Sequence, residues 1–575
     1  MRHALLPLAL VVALPAGALA QPASPAQVNP IERNAPQPPP RVAPAVQPPP
    51  LVPRTGPGAA QTVRIGAATV TGNIAVPTSD FAAALDGVRG REVSLAQIEE
   101  ARIAILRAYR SAGYPFAAVD AGLTRRPDGG ADLGFRVTEG YIAEVRLDGD
   151  IGPAGTQVLR FLNRLTDERP VSAASLERAL LLASDIPGVT VRGVVRPLPG
   201  EPGALQLVAQ VERRAVSGYI NADNRGSRFA GPWQGLVSVG VNSLTEFGER
   251  IELSLFGAEA GSQYFSQLNF ETFIGGSGLR LRAYAGGGES RPGSTLAAIG
   301  YLGDTQVFGA GLVYPVIRRR PLSLFVSGQI DMFDSEVQTG TSGARSTASN
   351  DQVRTLRLGA EVQSLDAWIP FLPAGVTAAN ARLHQGLDIL GATGNGDPQA
   401  SRAGSEFDFT KITFDIQRTQ PLFEIADGWM VSLQGIVAGQ HSDNVLPQVE
   451  KFYLGGSRLN RGFYAGQVTG DSALTWGLEL QLDTGFELPG DLPYGLGNRV
   501  GTQFYGFYDD GSTRENVATD RNRRLQSFGL GVRMNVGGGL QLDLEGVRRE
   551  TRRPDGAAVA PLREDILFAR ALVRF

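Results

Sequence analysis

The sequence predicts a transmembrane antiparallel β-barrel of about 16 strands, preceded by two small α/β domains. Three observations carry this expectation. From about Val216 to Phe575 apolar and polar residues alternate with period two, and the polar positions carry charge in strand after strand. The chain ends in an aromatic residue, Phe575, on a strand of this kind. Met1–Ala20, MRHALLPLALVVALPAGALA, reads as a signal peptide, with Arg2 as the positive start, Leu5–Leu14 as the apolar run and Ala18-Leu19-Ala20 as the small-residue cleavage site. A water-soluble sandwich also alternates, but repeated charges on the inner face suit a hydrated lumen better than a dry core.

The elements follow in order. Segment 21–60 is rich in Pro, Ala and Gln and reads as an extended linker, with a short helix near Pro25–Glu32 weakened by Pro30. Segment 61–139 reads as a first α/β module: a strand in VRIGAATVTGN, helices over Phe81–Val88 and Ser94–Gly113, and two strands around the turn Pro127–Gly130. In the longer helix Leu95, Ile98, Ala101, Ile105, Ala108 and Ala112 recur at helical spacing, Ser94 caps the start and Gly113 ends it. Segment 140–214 repeats the order β-α-α-β-β, with helices over Thr156–Arg164 and Ser172–Asp185. In segment 215–575 the periodicity switches: Leu268 and Phe270 oppose Gln267, Asn269 and Glu271, while Trp476, Leu478, Leu480 and Leu482 oppose Glu479, Gln481 and Asp483. Leu567, Ala569, Ala571, Val573 and Phe575 likewise oppose Arg570 and Arg574. At about 20–25 residues per strand with its turn, this segment holds about 16 strands.

Composition removes several function classes. The chain of 575 residues has no cysteine, so disulfides, thiolate metal sites and cysteine nucleophiles are excluded. His3, His384 and His441 are scattered without metal-ligand spacing. A net charge of −3 gives no case for nucleic acid. Lysine occurs only at Lys411 and Lys451 among many arginines, a bias read as genome composition. His441-Ser442-Asp443 holds triad residue types, but sequence neighbours do not form a triad, and the triplet reads as a loop. Asp509-Asp510 does not read as a carboxylate pair, since adjacent strand residues point to opposite faces. Arg318-Arg319-Arg320 reads as a solvated or headgroup-facing cluster at a turn. No catalytic set, metal site, cofactor site or phosphate-binding glycine loop stands out, so the expectation is not an enzyme.

The distinctive residues are Arg461, Gly462 and Phe463 at a loop tip, in GGSRLNRGFYAG, and Phe507, Asp509 and Gly511 on a later strand, in FYDDG. Asp223, Asn224 and Gly226 form a weaker mark after the first barrel strand. On these residues the chain resembles the two-partner secretion transporters, the outer-membrane members of the haemolysin secretion/activation family, which carry two polypeptide-transport-associated (POTRA) modules and a barrel. Their loop motif has Val or Ile before Arg; here Asn460 stands there, which puts the packing of the tip in question. Their N-terminal plug helix has no clear match in 21–60.

The resemblance implies that Arg461 reaches Asp509, offered from the same strand face as Phe507 as a bidentate acceptor. Gly462 would allow the sharp tip and Phe463 would pack on the wall. It also implies an outer-membrane pore, set in outer-membrane lipid as a monomeric barrel with POTRA modules in the periplasm. The pore would capture an unfolded partner exoprotein with an amino-terminal β-helical secretion domain and pass it to the cell surface. A barrel-assembly or insertion factor is the alternative function. A static brace is the plain structural reading of Arg461 and Asp509.

Overall fold

The computed structural model describes residues 29–31, 35–36, 50–53, 59–149, 151–227, 229–492, 497–517, 522–551 and 563–575. The expected signal peptide and most of the Pro-rich linker lie outside these residues.

The first module is a mixed sheet in the order Glu92–Ser94, Thr62–Thr71, Ala131–Thr138, Ala118–Arg125, with the central pair parallel. Helix Leu95–Ser111 lies across it because Ile98, Ala101, Ile105 and Tyr109 share one face and bury against Ile65, Leu133 and Phe135. Ser94 and Gln97 form a reciprocal capping box that fixes the helix start. The helix expected over Phe81–Val88 is shorter, Ala82–Asp86, and is entered through a 3-10 turn at Thr78–Phe81. Outer strand Ala118–Arg125 pairs on one side only and is exposed along most of its length.

The second module has three strands in the order Tyr141–Gly149, Ala204–Arg213, Val189–Pro197, backed by helices Gly155–Leu162 and Ala173–Ser184. Val158, Phe161, Leu176, Leu180 and Leu182 turn onto Leu205, Leu207 and Ala209 of the sheet. The first of these helices ends two residues before the expected Arg164 and tightens into a 3-10 turn, Asn163–Asp167.

Residues from Val216 onward form a closed antiparallel barrel of sixteen strands, sealed where Val216–Asp223 pairs with Arg563–Arg574. Alternation sets the two faces. Leu268, Leu478, Leu480 and Leu567 are about half exposed on the outer wall, whereas Gln267, Glu479 and Glu545 are buried on the lumenal side. No helix among the described residues is long and apolar enough to cross a membrane.

The second module is fastened to the barrel turns at one end. Phe161 meets Phe273 edge-on at 5.2 Å, Gln157 Nε2 donates to the Gly275 carbonyl at 2.8 Å, and Arg178 Nη2 donates to the Pro315 carbonyl at 2.8 Å. Arg318 forks onto both Asp185 oxygens at 2.7 and 2.8 Å. The arginine cluster is therefore not simply solvent- or headgroup-facing. A bulge between Pro315 and Ile317 turns Arg318 to the inner face, where a carboxylate of the second module meets it.

Of the segment expected to carry a short N-terminal helix, Asn29–Ile31 is described, and it lies inside the barrel. Asn29 Nδ2 donates to lumenal Gln267 at 2.6 Å, and Ile31 packs against Leu236, Phe256, Phe265 and Val307. Among the described residues of the linker Ile31 alone fills this apolar patch, so no helical apolar period marks it in the sequence.

Candidate functional site

The connection between strands Trp429–His441 and Ser472–Leu492, at the end opposite the second module, folds back into the lumen. A ribbon of Phe452–Leu454 paired with Val468–Gly470 carries it inward and lies outside the barrel sheet. Phe452, Leu454, Phe463 and Val468 bury against Ala438, Ala473 and Leu525 of the wall.

Arg461 is placed by charge. Its backbone N–H and its Nε donate to Asp509 Oδ2 at 2.9 and 3.3 Å, its Nη1 pairs with Glu479, and its guanidinium lies 3.9 Å from the centre of the Phe507 ring. The fork is thus split between two carboxylates, and Asp509 is not the bidentate acceptor expected. Register explains the split. Glu479 stands opposite Phe507 and Gly477 opposite Asp509 on neighbouring strands, so both carboxylates face one point of the lumen. A Cβ on Gly477 would sit 2.4 Å from Asp509 Oδ1, so this glycine makes room for the acid. Glu479 is also held by Gln481 Nε2 at 2.7 Å. Its inward direction was readable from WGLELQLD, but its partner was not, because nearly every strand offers an inward polar residue.

The backbone of the tip departs from expectation too. Asn460, not Gly462, takes the left-handed conformation, with φ 51°. Its side chain is buried and accepts from Thr475 Oγ1 at 2.9 Å. A Cβ on Gly511 would come within 2.3 Å of Asn460 Oδ1, which ties the last glycine of the strand motif to the unusual asparagine of the loop motif. Gly462 is required for close approach: a Cβ there would meet Ser527 Cβ at 2.5 Å and Val547 at 2.8 Å.

The third mark lies beside this site. Asn224 donates to the Leu567 carbonyl at 3.0 Å and accepts from the Ala569 N–H at 2.8 Å, stitching the first strand to the last. Asp223 accepts from the Arg225 N–H at 2.9 Å. Arg225 then reaches Glu545 at 2.6 Å and donates to the Arg461 carbonyl. The seam and the tip are thus linked through Arg225 by one ion pair and a hydrogen bond to the backbone of the tip.

Breaking a desolvated pair costs about 3–5 kcal/mol, against about 1 or less for a hydrated one. The side chains of Arg461 and Asp509 are only 12% and 3% exposed, which places them with the desolvated pairs. Other residues weighed from the sequence lie elsewhere. Asp510 faces away from the lumen and pairs with Arg524 at 2.7 Å. Ser442 donates its hydroxyl to the Thr410 carbonyl at 2.8 Å rather than to His441. No cluster of potential metal ligands occurs among the described residues.

A profile of the haemolysin secretion/activation protein ShlB/FhaC/HecB family matches residues 204–534, and one of the ShlB-type POTRA domain matches residues 63–140. The Heme/hemopexin transporter protein HuxB of Haemophilus influenzae (strain 86-028NP) is 22% identical over 485 residues, covering 82% of this chain and 80% of the relative. The Hemolysin transporter protein ShlB of Serratia marcescens is 23% identical over 442 residues, covering 75% and 74%. Among solved structures, CdiB from Escherichia coli superposes with a TM-score of 0.67 at 16% identity, over 92% of this chain and 94% of that one. The chain belongs to the haemolysin secretion/activation protein family.

Proposed function

We propose that this outer-membrane transporter captures one unfolded partner exoprotein in the periplasm and passes it through the lumen to the cell surface, and that passage depends on the Arg461 tip alternating between a docked and a released state, so that a tip unable to dock stalls export. The observation that carries the reading is the tip itself: a loop long enough to leave the lumen is held in it by a desolvated arginine on two carboxylates. A static brace needs only side chains of the wall strands, as Arg533 near Glu479 and Asp543 provides, and no loop of this length.

Capture is assigned to the sheet edges. Ala118–Arg125 offers an unpaired, largely exposed edge to which an extended segment adds as one more strand. The partner is expected to carry an amino-terminal β-helical secretion domain. Folding of that domain outside removes it from exchange and gives direction by mass action.

The test is deletion of this chain in its native strain, with the partner quantified in the medium, at the cell surface and in the periplasm. The proposal predicts that surface and medium protein are lost while other outer-membrane barrels assemble normally. Normal export, or a general loss of outer-membrane barrels as expected for an insertion factor, would overturn it.

A further inference from the structure

The lumenal loop has two separate attachments, and only one of them contains the motif arginine. The other lies at its base. Glu450 pairs with Lys411 at 2.6 Å and with Arg357 at 3.3 Å. The next residue, Lys451, pairs with Glu515 at 2.8 Å. Arg402, from the connection between Gly375–Gly386 and Thr410–Ala426, reaches Asp471 at the loop's far end and also Glu515 at 3.1 Å. The only two lysines of the chain both serve this base, and both are at most 6% exposed.

Beyond the base the tip closes on itself. The Gly455 N–H donates to the Leu459 carbonyl at 3.2 Å and the Gly456 N–H to the Phe463 carbonyl at 3.0 Å. Glycines with positive φ flank this unit on both sides, Gly455 and Gly456 at 104° and 121° before it and Gly466 at 66° after it. A compact unit between two glycine necks, joined to a base fixed by crossed ion pairs, has the form of a hinge.

From this, and resting on the export reading above, we propose that Lys411, Lys451 and Arg402 are positioning residues for transport. They keep the base of the loop seated in the barrel throughout export, while the segment 457–465 swings about Gly455–Gly456 and Gly466 and carries Arg461 off its carboxylates. The loop is not expelled whole.

The absence of cysteine makes the test clean. At the tip, Arg458 pairs with Asp415 of wall strand Thr410–Ala426. Two double variants of the full chain, Lys451→Cys with Glu515→Cys at the base and Arg458→Cys with Asp415→Cys at the tip, are treated in cells with a reducible bis-thiol reagent. Partner secretion is compared with the same variant untreated. The base variant has lost the Lys451–Glu515 pair, so its untreated secretion is expected to fall below that of the wild type; cross-linking restores the tie and is expected to hold secretion at or above the untreated level. Tip cross-linking is expected to reduce it to the level of a strain lacking the chain, with recovery on reduction. A block by the base cross-link, or none by the tip cross-link, overturns the proposal.

A second measurement does not depend on these pairs. Val449 at the base and Ala465 at the tip are each 4% exposed. With the partner expressed, Ala465→Cys is expected to react faster with an impermeant maleimide and Val449→Cys at an unchanged rate. Equal acceleration at both sites means that the whole loop leaves, and acceleration at neither means that the tip does not move; each overturns the proposal. Secretion that persists without the transporter would instead refute the export reading, independently of both labelling results.

Discussion

At the scale of single residues, the site depends on a split guanidinium fork. Arg461→Lys keeps the charge but offers one compact ammonium in place of a planar fork, so it satisfies one carboxylate and strands the other. Secretion by this variant is expected to fall between wild type and Arg461→Ala. Exchanging Arg461→Asp with Asp509→Arg is expected to rescue little, because the new aspartate faces Glu479; adding Glu479→Gln should improve the rescue. Equal rescue with and without Glu479→Gln would contradict the split-fork geometry. Asn460 gives a sharper test. Asn460→Ile moves toward the aliphatic residue of the family motif, yet it forces a β-branched residue into positive φ and removes the bond to Thr475. A strain of about 1–3 kcal/mol is expected, read as increased protease sensitivity of the loop. Unchanged sensitivity would show that the asparagine is incidental.

At the scale of elements, the barrel strands were legible and their partners were not. A side-chain period of two separates lipid from lumen along any one strand, so the order of Leu478 and Glu479 alone puts them on opposite faces. The meeting of Glu479 with Arg461 depends on register between strands and on how deeply the loop folds in, and neither is a local property. The same limit hid the role of Lys411 and Lys451, which look like stray composition until the loop base is in place. It also hid the docking of the second module, because Asp185 and Arg318 are distant in sequence. That contact is open to test. Charge-assisted hydrogen bonds contribute about 1.5–3 kcal/mol, so Arg318→Ala is expected to broaden the distance between spin labels on the second module and the barrel. A distribution as narrow as in the wild type would assign the docking to Phe161 and Phe273 instead.

At the scale of the whole molecule, one network runs from the seam to the tip. Asn224 joins the first and last strands, Arg225 leads to Glu545 and to the backbone of Arg461, and Arg461 ends on the strands bearing Glu479 and Asp509. Tip and seam therefore hold each other, and release of the tip withdraws one support from barrel closure. Gly462→Ala, which drives a methyl group into Ser527 and Val547, is expected to keep the tip undocked and lower the temperature at which the folded barrel loses its characteristic gel mobility. An unchanged transition would separate the two functions. Under the proposed function, docking of Arg461 governs passage of a partner protein through this barrel. The decisive experiment quantifies surface and periplasmic partner in cells whose transporter carries Arg461→Ala and is verified as inserted and folded. Partner is expected to stay in the periplasm behind an intact barrel; surface display at the wild-type level would refute control by the docked arginine.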